Sequence, residues 1–353
     1  KTKADEENIS LTLEDLEKLV EEGKHFTENE AIAIVKEQKI KTGKQKNTNY
    51  KFKLPESIRK NAKKIDEWLD KITICDPAVG SGVFLVGMMT KIVHIRNVLT
   101  VFLPEEEQKN RFSYEFKRHC IEHSLYGVDI DAGAVEITKL RLWLSLIVDE
   151  DDIKQIKPLP NLDYKIMCGN SLLKIEKDLF NNNLFEELER LKPSYFSETN
   201  PVKKQEYKKQ IDKLISKITN GHSEFDFEVY FSEVFHKNGG FDVVIGNPPY
   251  IQLQKDYDGK QKYADLYKNE GFEVFDRMGD IYCLFYEKGI QLLKEGGILS
   301  YITSNKWMRA GYGEKLREFF TKYNPLQLID LGPGVFESAT VDTNILIIQK
   351  SHS

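Results

Sequence analysis

Residues 72–82, ITICDPAVGSG, followed at 83–95 by VFLVGMMTKIVHI, set the fold of this chain. The opening ITIC is apolar and β-branched and reads as a short buried strand. Gly80 and Gly82 then permit a tight turn and let a ligand come close to bare backbone. The apolar run that follows reads as a helix, whose first N–H groups have no partner within the helix. Strand, glycine turn and helix together form the first unit of a doubly wound sheet.

The same pattern repeats along the chain. SLYGVDI at 124–130 reads as a second strand, followed by a helix from about Ala132 to Val148. YKIMC at 164–168 and FDVVIG at 241–246 read as the third and fourth strands. The helix IYCLFYEKGIQLLKEG precedes ILSYIT, and LQLIDLG and TNILIIQK close the series. Short buried strands alternating with helices predict an α/β fold with a seven-stranded, mostly parallel sheet.

This catalytic unit is expected to span residues 71–353, behind a helical N-terminal segment at 1–70. Within that segment, ISLTLEDLEKLVEEGKHF and TENEAIAIVKEQKI read as amphipathic helices, with Leu13, Leu16 and Val20 at helical spacing and Thr27 capping the second against Glu30. KTGKQKNTN reads as a linker, and a further helix runs from Glu56 to about Asp70. Residues 98–120 lengthen the first crossover, and 175–235 form a polar, lysine-rich helical insertion. In it, Lys204, Lys208, Lys209, Lys213 and Lys217 lie opposite Ile211, Leu214 and Ile218, which reads as a solvated helix face rather than a phosphate-facing stripe.

Composition narrows the class. Hydrophobic residues make up 40% and charged residues 30%, no apolar stretch reaches the length of a membrane span, and KTKADEENIS holds no signal-peptide core. A cytoplasmic enzyme without a membrane partner is expected. Cys75, Cys120, Cys168 and Cys283 are scattered and read as buried reduced thiols. His119 and His123 share a helical face but lack the companions of a zinc site, so no metal is expected. The net charge of −5 weighs mildly against nucleic acid, although phosphate contacts need only local positive potential. The chain opens without methionine and stops soon after a strand, and a piece of a longer protein is expected.

Four motifs carry chemistry. DPAVGSG lacks both the third glycine of a dinucleotide fingerprint, Leu85 standing there, and the lysine of a P-loop. Asp76 opening the turn suits a ligand with a cationic amino group better than a pyrophosphate. GVDID puts Asp129 at the strand end where doubly wound folds hold ribose hydroxyls, and CGNSLL puts Asn170 at the next strand end. Together these tips form a nucleoside pocket.

NPPY at 247–250 follows the fourth strand. Its prolines remove two backbone donors and stiffen the turn. Asn247 and the Pro248 carbonyl can then accept both hydrogens of one exocyclic amine, freeing the nitrogen lone pair for attack on a methyl sulfonium. Tyr250 offers a face on which a flipped base can stack.

In order, DPAVGSG, GVDID, GNSLL and NPPYIQ resemble motifs I to IV of gamma-type amino-methyltransferases, and GDIYCLFYEKGIQLLKEGGILSYITSNKWM resembles motifs V to VII. The likeness covers roughly residues 50 to 350. It is nearest to N6-adenine DNA methyltransferase domains of type II restriction–modification enzymes that join nuclease and methyltransferase on one chain. The resemblance implies that S-adenosylmethionine lies against Asp76, Ala78 and Gly80 by its methionine part, Asp129 by its ribose, and Ile130 and Asn170 by its adenine. It implies that Asn247, Pro248 and Tyr250 act on the target base, with Pro249 and Phe336 packing on it. NPPY leans to adenine N6, cytosine N4 being the chemical near-twin; release-factor glutamine methyltransferases share NPPY but lack the long insertions. A non-catalytic specificity module keeping the fold is the other class of reading.

The resemblance also implies double-stranded DNA as partner, a target recognition domain after the C-terminus and a nuclease outside this stretch. Pro55 stands where relatives carry Tyr-Thr-Pro, preceded here by Lys53 and Leu54. Residues 252–278 show no clear periodicity and are expected to form a mobile lid.

Overall fold

The computed structural model describes residues 1–21, 23, 54–109, 111–148, 160–174, 182–198, 200–219, 225–335 and 341–351. The expected helix at 27–40 with its Thr27 cap, the linker at 41–49, Lys53 and Phe336 lie outside them. The chain divides into two compact units, one of Lys1–Ile72, Val86–Ser124 and Trp143–Pro160, the other of Thr73–Leu85, Leu125–Leu142 and Asn161–Ser353.

The first unit is helical. Thr12 caps a helix beginning at residue 13 through a 3.0 Å bond from the Asp15 N–H to its Oγ1. The helix expected over 56–70 is broken at Asn61 into Glu56–Lys60 and Ala62–Asp70. Leu11, Leu19, Ile58, Ile65, Val98 and Leu99 form its core. Beside that core, Arg96 is buried, its Nε 2.9 Å from Asp66 Oδ1, while Arg111 Nη2 lies 2.6 Å from the same oxygen. The helix Val83–Thr100 corrects the expectation that no apolar stretch reaches membrane-span length: its 18 residues have a mean hydropathy of 1.3. Its hydrophobicity serves packing, since Leu85, Met89, Ile92 and Leu99 are buried. His119 and His123 straddle the junction of the helix Ser113–His119 and a π-helical turn Cys120–Ser124, their ring centroids 4.7 Å apart. His119 Nε2 lies 2.7 Å from the Asp70 carbonyl.

The second unit holds a seven-stranded sheet of order β3-β2-β1-β4-β5-β7-β6. Its strands are β1 (Ile74–Asp76), β2 (Leu125–Asp129), β3 (Ile166–Cys168), β4 (Phe241–Gly246), β5 (Leu293–Ser304), β6 (Asn324–Gly332) and β7 (Thr343–Gln349). β3, β2, β1, β4 and β5 run parallel, while β7 pairs antiparallel with both β5 and β6. The mostly parallel expectation thus holds, with one reversed strand near the edge. Strand order reverses between β1 and β4, so the crevice of a doubly wound sheet opens at their carboxyl ends.

The helix expected to run to Gly296 ends at Leu292, and β5 begins at once, Gly296 at φ 75° absorbing the irregularity. The helix Ile281–Leu292 is buried almost throughout, as apolar residues on every face require. Cys168 corrects the expectation of four buried thiols: at the end of edge strand β3 it is exposed, while Cys75, Cys120 and Cys283 are buried.

The insertion is built of the helices Asn182–Ser197 and Pro201–Ile218. Asn200 caps the second, accepting from the Val202 and Lys203 N–H groups at 3.0 and 3.3 Å, with Pro201 in the first turn, where no donor is needed. Ile211, Leu214, Ile215 and Ile218 are buried, and the lysines opposite them split two ways. Lys209, Lys213 and Lys217 are solvated, whereas Lys208 pairs with Asp163 at 2.6 Å and Lys204 lies over the Tyr195 ring. Two buried cations fasten the insertion to the sheet. Lys192 donates to the Val229 and Tyr230 carbonyls and to Glu233, and Lys165, beside β3, donates to Tyr126 at 2.6 Å and to the same Glu233 at 3.3 Å.

The helix Ile281–Leu292 depends on Gly289. A Cβ there would lie 2.3 Å from Leu299 Cδ1 and 2.7 Å from the Tyr301 hydroxyl. Gly289→Ala is expected to cost about 1–3 kcal/mol in urea denaturation, through overpacking that neither strand nor helix can relieve; an unchanged midpoint would refute this packing.

Candidate functional site

The site grows from the carboxyl ends of β1, β2, β3 and β4. Asp76 ends β1 and pairs in register with Gly127, while Asp129 ends β2 opposite Cys168. Gly127 lets the first turn fold back onto β2: the Val79 N–H donates to the Val128 carbonyl at 2.9 Å, and a Cβ on Gly127 would meet Val79 Cγ2 at the same distance. Gly80 and Gly82 take φ of 51° and 77°, the left-handed region in which glycine carries no steric penalty. Their surroundings differ. Gly82 abuts Thr138, whereas a Cβ on Gly80 would meet nothing within 4 Å, so backbone there faces open space.

Asp129 holds this turn. Its Oδ2 accepts from the Gly80 N–H at 2.8 Å and its Oδ1 from the Asp131 N–H at 2.9 Å. Each oxygen keeps a lone pair for a further donor. Thr138 Oγ1 donates to the Gly80 carbonyl at 2.8 Å and Ser171 Oγ to the Pro77 carbonyl at 2.6 Å, so helix and third loop both brace the glycine turn. Ala78 is half-buried and Ile130 exposed, an apolar surface beside Asp129.

Asp76 is buried, with 1% of its surface exposed. Its Oδ1 accepts from the Ala78 N–H at 3.0 Å, and its Oδ2 has no partner. Burial pushes its pKa up to about 7; the Ala78 N–H opposes that rise and the negative charge of Asp129 adds to it. Space for the carboxylate comes from Gly246, the last residue of β4, where a Cβ would lie 2.7 Å from Asp76 Oδ1. Gly246 also leads directly into Asn247, so the acid and the NPPY turn share one contact.

In that turn Pro248 is buried, Pro249 exposed, and Asn247 and Tyr250 half-buried. The Tyr250 hydroxyl donates to Asn247 Oδ1 at 2.8 Å, and its ring stands edge-on to Tyr282, centroids 6.0 Å apart. Burial raises the Tyr250 phenol to about 12, so it stays a donor at neutral pH. The Ile251 N–H donates to Asp280 Oδ1 at 2.8 Å, tying the turn to the start of the helix Ile281–Leu292.

Asn170 is oriented by two contacts. Its Oδ1 accepts from the Leu172 N–H and its Nδ2 donates to the Tyr267 hydroxyl, both at 3.0 Å. Tyr267 lies in the stretch expected to form a mobile lid. A short helix, Tyr263–Tyr267, and β-bridges Gln252–Asp280 and Asp256–Lys262 shape it, and Leu253, Ala264, Tyr267, Phe272 and Val274 are buried. Residues 254–262 form its exposed tip.

Thus Asp76, Ala78, Gly80, Asp129 and Asn170 meet at one edge, and Asn247, Pro248, Pro249 and Tyr250 adjoin them through Gly246. Sequence reading missed Gly246, Gly127 and Tyr267. Gly246 left a trace, a glycine ending a β-branched strand, whereas the pairing of Tyr267 with Asn170 across 97 residues left none.

Residues 123–336 match the Eco57I restriction-modification methylase family. The chain is 29% identical over 378 residues to a type II restriction enzyme and methyltransferase sequence of Methanocaldococcus jannaschii, RM.MjaORFECS2P, covering 81% of this chain and 30% of that protein. It is 24% identical over 332 residues to the adenine-specific methyltransferase PglX of Lacticaseibacillus casei, covering 86% and 26%. Among solved structures, the type IIL restriction-modification enzyme MmeI in complex with DNA superposes with a TM-score of 0.50 at 13% identity, over 84% of this chain and 34% of that one. The chain therefore spans about a third or less of these three proteins.

Because the folded-state pKa of Asp76 lies above its unfolded value, the stability it contributes is complete below about pH 4 and lost as pH rises through about 7. Asp76→Asn should erase this dependence, placing the variant's urea midpoint above the wild type's at pH 8 and level with it near pH 4. Equal midpoints at pH 8 would show that folding does not raise the Asp76 pKa.

Proposed function

Because the chain belongs to the Eco57I restriction-modification methylase family, we propose that it transfers a methyl group from S-adenosylmethionine to the N6 amino group of an adenine turned out of duplex DNA. The contact of Gly246 with Asp76 carries this reading, since it sets a buried, half-unpaired acid directly beside the Asn247–Tyr250 turn.

The residues present fit the cofactor. The unpartnered Asp76 Oδ2 suits its ammonium group, whose arrival would return that carboxyl to the ionised form. The open backbone at Gly80 leaves room for the methionine chain, the free lone pairs of Asp129 suit ribose hydroxyls, and exposed Ile130 with the oriented Asn170 suits an adenine. When bound, the cofactor supplies an electrophilic methyl group.

On the other side of Gly246, Asn247 and Pro248 handle the amine. The Tyr250 hydroxyl fixes Asn247 Oδ1 while leaving it a second lone pair, which accepts one amine hydrogen as the Pro248 carbonyl accepts the other. Two fixed acceptors would localise the nitrogen lone pair and stabilise the positive charge that develops as the N–C bond forms and the methyl–sulfur bond breaks, the thioether leaving and one amine proton then passing to solvent. The Tyr250 ring and exposed Pro249 provide apolar surface for the base, offsetting the few kcal/mol of unstacking. Adenine is favoured by the NPPY form of the turn and by the likeness to an adenine-specific methyltransferase. Selection of a particular DNA site is proposed to rest with the remainder of a longer protein.

Asn247→Ala should lower kcat about a hundredfold or more while leaving the S-adenosylmethionine Kd within about twofold; unchanged transfer would overturn the mechanism. Mass analysis of nucleosides from treated DNA should give N6-methyladenine, and N4-methylcytosine would replace the assigned base. Tyr267→Phe, which frees Asn170, should weaken cofactor binding about fivefold, the equivalent of about 1 kcal/mol, and equal affinity would remove Tyr267 from the pocket.

A further inference from the structure

β4 and β5 are parallel neighbours whose last partners are Gly246 and Tyr301. The residues just beyond β5 therefore emerge at the same edge as the Asn247–Tyr250 turn, and the Tyr250 hydroxyl lies 3.5 Å from the Ile302 carbonyl. There the chain makes a 3-10 turn, Asn305–Met308, followed by Arg309. This turn is fastened on several sides. Ser304 Oγ accepts from the Lys306 N–H, the Asn305 N–H donates to the Asp342 carbonyl, and Asn305 Nδ2 donates to Asp330 Oδ1. Trp307 is buried with its Nε1 3.2 Å from Asn344 Oδ1, and Arg317 Nη1 donates to the Trp307 and Ala310 carbonyls at 2.5 and 3.1 Å. Gly313 packs so closely that a Cβ there would lie 2.0 Å from the Trp307 carbonyl oxygen.

A turn held this firmly presents two exposed cations, Lys306 and Arg309. The Arg309 N–H closes the turn on the Lys306 carbonyl at 3.1 Å, which brings the two residues together. Lys306 follows by four residues Ile302, whose carbonyl faces the Tyr250 hydroxyl, so this cation belongs to the segment that leaves the amine turn's edge of the sheet. Among the described residues neither side chain makes a hydrogen bond or ion pair, although Nη1 of the neighbouring Arg317 donates to two carbonyls.

We propose that Lys306 and Arg309 form a phosphate clamp that grips the DNA backbone of the strand carrying the target base. This rests on the reading of the chain as a DNA methyltransferase and adds to it which surface meets the strand. Cations beside the amine turn would hold the sugar–phosphate chain while the base swings inward, a contact that positions without reading sequence.

The test measures methyl transfer to duplex DNA by the full chain across a range of salt concentrations, with the variant K306Q/R309Q. Each phosphate contact contributes about 0.9 to the slope of log affinity against log salt. The double variant should therefore lose about 2 from that slope and raise KM for DNA about tenfold or more, while its S-adenosylmethionine Kd and urea midpoint stay at wild-type values. K306R/R309K, which keeps both charges, should restore most of the slope. An active wild type with an unchanged slope in K306Q/R309Q would overturn the clamp alone. A wild type that methylates no DNA would overturn the underlying reading, and the clamp with it.

Discussion

The site is organised around a carboxylate kept where carboxylates are costly. Asp76 sits at the tip of β1 with one backbone donor, one unsatisfied oxygen and almost no water. A lone buried charge of this kind is avoided unless something answers it, and here the protein's answer is partial: burial lifts the pKa until the group is half neutral near pH 7. Everything near it follows from that constraint. β4 must end in glycine to leave the carboxylate room, the first turn must contribute the Ala78 N–H, and Asp129 must spend its own acceptors on backbone donors. A pocket assembled this way is preorganised for a cation, because the cost of burying the acid is met in folding and recovered on binding.

The base side is organised differently. Asn247 is oriented by a residue three positions on, and the whole turn is pinned to the start of the next helix by Asp280. Local sequence thus contains most of the proposed amine site, whereas the proposed cofactor side draws on β1, β2, β3 and a tyrosine far along the chain. The stretch after the turn links the two, since it leaves the amine site at Leu253 and reaches Asn170 through Tyr267.

Much of this was legible in advance. The seven strands and their parallel core follow from apolar runs separated by glycine turns and helices, and the residues at strand ends fall at one edge because a doubly wound sheet leaves them no other place. What stayed hidden has physical reasons. The boundary between the helix Ile281–Leu292 and β5 was misplaced because Leu-Lys-Glu-Gly-Gly suits a helix end as well as a strand start, and parallel pairing with β4 decides between them. Cys168 looked buried because its neighbours are apolar, but an edge strand has a side with nothing over it. The segment at 252–278 shows no period because bridges, turns and isolated anchors hold it in place of a repeating face. Gly246 is a matter of volume, invisible until Asp76 is seen beside it.

The lysine-rich insertion between β3 and β4 has the appearance of an appendage, yet Glu233 lies between Lys165 beside the sheet and Lys192 on the inserted helix. Lys165 also donates to the Tyr126 hydroxyl, and Lys192 to two carbonyls of the insertion itself. Removing the insertion would strand Lys165 without its counter-charge, and transplanting it elsewhere would carry Lys192 and Glu233 into a setting that lacks theirs. The element is therefore not a module that shuffling of gene segments can add or delete in one step. Its boundaries in the polypeptide are clear, but its boundary in charge runs into the β3 edge of the sheet.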